Sequence, residues 1–232
     1  MGCDIHLHVE KRVDGKWTQI IGINEPEIKY LENTIADIKA RGEKADYWER
    51  LLEEEKNGTS GFIYDGRHYL LFALLAGVRN QYEITPISEP KCMPNDVSSE
   101  IKSISEEWGC DGHSHTWLTA KELTEFDWSQ TVVQEGWVSE NQYQVFMERG
   151  RPESWSGGVG GGRVRHVSNT EMNRILKEKY PWEENDSFYT LVKWALPYSE
   201  IVGSFYSWSV PKMKELAGND LESARIVFWF DN

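Results

Sequence analysis

Residues 3–10, Cys-Asp-Ile-His-Leu-His-Val-Glu, alternate strictly between apolar and titratable side chains. A strand places Cys3, Ile5, Leu7 and Val9 on one face and Asp4, His6, His8 and Glu10 on the other. Side chains two apart on a strand are about 6.5–7 Å apart at Cα, so both imidazoles can tilt toward one ion. A second stretch, Ala224–Phe230, is apolar almost throughout and predicts a strand that must be buried. The first strand is its obvious neighbour, and antiparallel pairing would bring Asp231 close to Asp4 and His6.

Between these strands the pattern is mixed. Asp14-Gly15 supplies turn chemistry for a hairpin into a second strand, Trp17 to Ile23. Helical spacing follows from Pro26 to about Ala40 and again from Ala45 to Lys56, which reads as a helical-hairpin insertion at about 25–57. Leu70–Val78 is apolar nearly all round and predicts a buried helix. Three prolines make 84–97 an extended loop, and Ser98 or Ser99 opens a short helix ending near Trp108.

Capping-box spacing at Thr119–Glu122, Ser139–Gln142 and Ser168–Glu171 opens three more helices, the last running to about Tyr180. Phe188–Leu196 has strand character. Ile201, Val202, Phe205 and Trp208 recur at helical spacing, and Pro211 begins a helix that Gly218 ends. The expected fold is α+β: a single domain, with a small, mostly antiparallel sheet containing both terminal strands and helices packed on it.

Composition narrows the function. A net charge of −13 argues against a duplex nucleic-acid partner, because phosphate neutralisation needs a basic surface. A small phosphorylated ligand, such as a nucleotide, remains compatible through local Arg residues or a divalent metal. No apolar run approaches membrane-spanning length and no signal-peptide pattern opens the chain, so a cytoplasmic location is expected. Cys3, Cys92 and Cys110 are too widely spaced for a disulfide framework or a zinc knuckle.

The candidate chemistry lies in a repeat. Asp111-Gly112-His113-Ser114-His115 reproduces the Asp-x-His-x-His order of Asp4 to His8, in a loop expected between two helices. Six His in 232 residues predict about 0.15 His-x-His pairs by composition, and the chain has two. Asp4, His6, His8, Asp111, His113 and His115 are therefore candidate ligands for a divalent metal, Zn²⁺ or Mn²⁺. The alternative is histidine used for hydrogen bonding on a half-buried sheet face.

In the metal reading Asp4, Glu10 and His113 are the catalytic candidates, with Glu10 taking a proton from metal-bound water. Arg67 is a candidate for holding phosphate. Arg163 and Arg165, which close a glycine-rich stretch at 154–166, are two more. That stretch matches neither the P-loop nor the dinucleotide fingerprint.

The opening Met1-Gly2-Cys3-Asp4-Ile5-His6, the Gly66-Arg67-His68-Tyr69 segment, Asp111–Thr119 and the terminal Val227–Asn232 together resemble a family of tailed-phage and prophage proteins. The resemblance implies a phage setting, with action in the host cytoplasm, and no particular chemistry. Family members often carry Asn or Asp in place of His68, which favours the two histidine motifs as the site. Asp4–His8 also resembles the first metal motif of polymerase-and-histidinol-phosphatase-type and amidohydrolase enzymes, as local chemistry and not as fold. The expected function is a metal-dependent hydrolase, a phosphodiesterase acting on a nucleotide in phage counter-defence. A phage protein that sequesters a nucleotide without turnover is the alternative.

Overall fold

The computed structural model describes residues 2–178 and 186–231. In chain order its elements are β1 (Ile5–Val13), β2 (Lys16–Ile20), α1 (Glu25–Ala40), α2 (Asp46–Lys56), α3 (Tyr69–Ala76), α4 (Ser99–Glu107), β3 (His113–Thr119) and α5 (Ala120–Glu125). They continue with β4 (Thr131–Ser139), α6 (Glu140–Arg149), β5 (Val164–His166), α7 (Asn169–Glu178), β6 (Ser187–Pro197), α8 (Tyr198–Ile201), a π-helical turn Phe205–Ser209, α9 (Val210–Ala217) and β7 (Ala224–Phe230). The class is α+β, as expected. The contacts group into two compact units, one of residues 1–128 and 199–232, the other of 129–198.

The first unit is built on an antiparallel four-stranded sheet in the order β2-β1-β7-β3, which joins both terminal strands. Asp14 (φ 50°) and Gly15 (φ 78°) make the tight β1–β2 turn that Asp-Gly chemistry favours. Every residue of β7 is buried, because β7 is a central strand covered on both faces. That explains its uninterrupted apolar run. On one face Phe230 meets Phe72 of α3, ring centres 5.1 Å apart. On the other, Val227 and Trp229 pack with Ile101 and Ile104 of α4 and with Trp108 and Trp117.

Helices α1 and α2 pack through Ile35, Ile38 and Ala45, flanked by Trp48 and Leu52. Asn24 caps α1 by accepting from the Glu27 N–H. Thr119 and Glu122 complete a reciprocal capping box at α5. Among the described residues no helix is long and apolar enough to cross a membrane.

The second unit holds a three-stranded sheet, β4-β6-β5, with β5 parallel to β6. Val138, Val192, Phe188 and Trp194 on its buried face pack with Tyr143 of α6 and Met172 of α7. The expected end of α7 near Tyr180 lies outside the described residues. The Ser139 side chain makes no capping bond; Gln142 Oε1 instead accepts from the N–H groups of Glu153 and Ser154. Strand β4 was not expected from its pattern, and no element was assigned to 131–138. Gly136 is needed in the strand because a Cβ there would lie 2.5 Å from Trp155 Cδ1.

Candidate functional site

Antiparallel pairing of β1 with β7 sets Ile5 opposite Phe230 and His6 opposite Trp229. One residue further, Asp231 clamps the entry to β1. Its Oδ1 accepts from the Asp4 N–H at 2.8 Å, its own N–H donates to the Asp4 carbonyl at 3.2 Å, and its Oδ2 lies 3.2 Å from His6 Nε2. The register anticipated this meeting of Asp231 with Asp4 and His6. Both members of the His6–Asp231 pair are about one-fifth exposed, so solvent and small molecules reach them. Trp108, half-buried at the end of α4, lies over the His6 ring at 3.9 Å.

Arg67 closes the site from the segment before α3. Its Nε and Nη2 donate to the two oxygens of Asp4 at 2.6 and 2.5 Å, a bidentate pair. The hydrogen bonds from Arg67 hold the Asp4 carboxyl below its usual range, and Asp4 in turn raises the guanidinium. Gly2 lies against this pair: a Cβ there would stand 2.9 Å from Arg67 Nη1.

A cleft of about 300 Å³ adjoins Arg67, lined also by Asn24, Glu27, Tyr64, Asp65 and His68. Desolvation raises the carboxyls of Glu27 and Asp65 and pushes the Tyr64 hydroxyl up to about 12. His68 Nδ1 accepts from the Leu71 N–H, so this imidazole caps α3, and burial lowers its pKa.

Deeper in the sheet, three imidazoles surround one indole. Trp229 is fully buried. His8 and His6 of β1 stack on it at 4.9 and 5.8 Å, and His115 of β3 stacks on it at 5.7 Å. Because β7 runs between β1 and β3, the indole separates His115 from the β1 pair. His8 Nδ1 is 2.9 Å from Ser60 Oγ, while Nε2 is buried without a partner among the described residues. Burial, with a smaller contribution from His6, lowers the His8 pKa to about 4. His115 is lowered by burial and by His113.

The second motif is neither a loop nor a regular alternation. It opens β3, and the register shifts between His113 and Thr116 at Ser114, whose φ is 52°. The bulge sends the two imidazoles to opposite faces. His113 stacks on Phe230 and His115 on Trp229, consecutive residues of β7 that point to opposite sides of the sheet. His113 Nδ1 is 3.0 Å from Ser114 Oγ. Asp111 is exposed in the turn after α4, its N–H bonded to the Trp108 carbonyl.

Of the six expected metal ligands, His6, His8 and His115 therefore meet around Trp229. Asp4 is paired with Arg67, His113 lies on the other face, and Asp111 is exposed. Among the described residues no group of three or more His, Cys, Asp or Glu is arranged to hold a metal ion.

Glu10, expected as a free proton acceptor, is fully buried and engaged at both oxygens. Oε2 accepts from Arg225 Nε at 2.7 Å and Oε1 from the Ser98 N–H at 2.6 Å. It ties the start of α4 to the sheet. Arg163 and Arg165 belong to the second unit, where Arg165 Nε pairs with Asp186 at 3.1 Å.

Trp108, Trp229 and Glu27 were not singled out beforehand. The β1–β7 register carries the signal for Trp229, and Asn24-x-x-Glu27 is a helix-capping spacing that also brings Glu27 to the cleft. Comparison with protein-family models, with curated proteins and with solved structures gives no match, so the chemistry is read from these side chains alone.

Proposed function

We propose that the chain is a hydrolase of a small phosphorylated ligand, of the nucleotide phosphodiester class, with the open ends of β1 and β7 as its reaction site. The supporting observation is the partly exposed His6–Asp231 contact beside the bidentate Asp4–Arg67 pair. A carboxylate that accepts from Nε2–H orients the imidazole, which leaves Nδ1 to take a proton from an attacking water. The water oxygen bonds to phosphorus, the ester P–O bond breaks, and the proton returns from His6 to the leaving oxygen. Arg67 uses Nε and Nη2 on Asp4, so Nη1 is available to a phosphate oxygen. Trp108 supplies an indole for a nucleobase to stack on.

A Zn²⁺- or Mn²⁺-dependent form of this reading requires Asp4 to give up Arg67, whereas the acid–base form requires no rearrangement. The sequestering alternative draws on the same Trp108 and Arg67 without turnover.

The test incubates the purified chain with mononucleotides, cyclic nucleotides and dinucleotides, with and without chelator, and separates the products by chromatography. Turnover that survives chelator and disappears in His6→Gln is the expected result. Turnover that needs added metal would support the metal form instead. A bound ligand recovered intact would support sequestration, and neither turnover nor binding would overturn all three.

A further inference from the structure

The cleft beside Arg67 holds polar groups that the reaction at His6 does not use. Asn24, at the start of α1, is 9% exposed and lines it. Its Oδ1 accepts from the Glu27 N–H at 3.1 Å, which fixes the amide with Nδ2 turned the other way. Nδ2 has no acceptor among the described residues, yet it is not shut off from solvent. A donor left unpaired on so buried a side chain is costly, so this nitrogen calls for an acceptor on a ligand.

Two carboxylates stand ready on the same cleft. Glu27 has no side-chain hydrogen bond or ion pair among the described residues, and Asp65 accepts only from its own backbone N–H there. Asp65 repels the Glu27 charge, so N–H donors placed between the two are favoured. Glu55, which accepts from the Asn24 backbone N–H at 3.3 Å, adds a third negative charge nearby. Together they keep phosphate out of the interior and leave it to Arg67. Trp208 contributes a half-buried indole to the wall.

These groups ask for a planar edge with one acceptor beside two N–H donors. Guanine presents that edge in O6, N1–H and N2–H₂. Adenine and cytosine offer a single amino donor, and uracil a single N–H between two carbonyls. We propose that the cleft takes the guanine base of the substrate, with O6 on Asn24 Nδ2, the N–H donors on Glu27 and Asp65, and Trp208 against the ring. The inference rests on the nucleotide reading above and narrows it. The phosphate falls to Arg67 and His6, and the other base of a dinucleotide to Trp108. A volume of about 300 Å³ is within the range of small-molecule sites.

Isothermal titration of the full chain with GMP, IMP, AMP, CMP and UMP tests it; these carry no diester bond, so binding is read apart from turnover. GMP is expected to bind at least about tenfold more tightly than AMP, CMP or UMP, with IMP, which lacks the 2-amino group, in between. Glu27→Gln and Asp65→Asn should each weaken GMP binding by about tenfold with the circular dichroism spectrum unchanged. Equal affinity for GMP and AMP, no GMP binding at millimolar concentration, or GMP affinity unchanged in both variants would overturn the proposal. Nucleotide turnover without guanine preference overturns this inference alone, whereas guanine preference in a chain without turnover leaves it standing and removes the hydrolase reading.

Discussion

His6 and Trp229 face each other across the β1–β7 pair with ring centres 5.8 Å apart, and the Trp229 indole is the surface that His6, His8 and His115 share. The indole thus organises the histidines more than they organise each other. Trp229→Ala should remove about 3–5 kcal/mol of stability, measured by urea unfolding, because the side chain is fully buried under α4. A loss under about 1 kcal/mol would mean that the histidine face holds together without it.

Acid sensitivity follows from His8. Its folded pKa of about 4 lies below the ordinary value of 6.5, so between these values the unfolded chain binds a proton that the folded chain refuses. The stabilisation is complete above about pH 6.5 and is lost progressively as pH falls toward 4, by up to about 3 kcal/mol. His115 and His68, also lowered, act with the same sign. Replacing His8 by Gln should flatten the stability profile over that window. Superimposable profiles would refute the assignment.

The Glu10–Arg225 pair is expected to behave as a structural ion pair. Glu10→Gln leaves Arg225 buried with a weakened counter-charge and should cost about 3–5 kcal/mol. The double variant Glu10→Gln, Arg225→Met should be closer to the original stability than Glu10→Gln alone. Denaturant titration of the three chains decides this, and an undiminished Glu10→Gln protein would contradict it.

Much of this arrangement was legible along the chain, for identifiable reasons. Strict alternation in β1, the apolar run of β7 and the Asp-Gly turn are local signals, and together they predicted the terminal-strand pairing and the place of Asp231. The bulge at Ser114 is not local: a non-glycine residue at positive φ has no periodicity to announce it, so His113 and His115 read as a repeat of His6 and His8 although they lie on opposite faces of the sheet. Glu10 shows the second limit. Alternation placed it correctly on the histidine face, but whether that face met water or α4 depended on Ser98 and Arg225, 88 and 215 residues away. Strand β4 was hidden because Gly136 serves the Trp155 ring, a contact 19 residues along the chain.

The most direct test of the proposed site compares turnover by the unaltered chain and by Asp231→Asn, on whichever nucleotide is hydrolysed. Asparagine keeps the shape next to His6 but removes the carboxylate that orients its ring. A fall in kcat of about 10²–10⁴, with KM changed little and the unfolding midpoint preserved, is the predicted result. An unchanged kcat in both Asp231→Asn and His6→Gln would contradict catalysis at the open ends of β1 and β7.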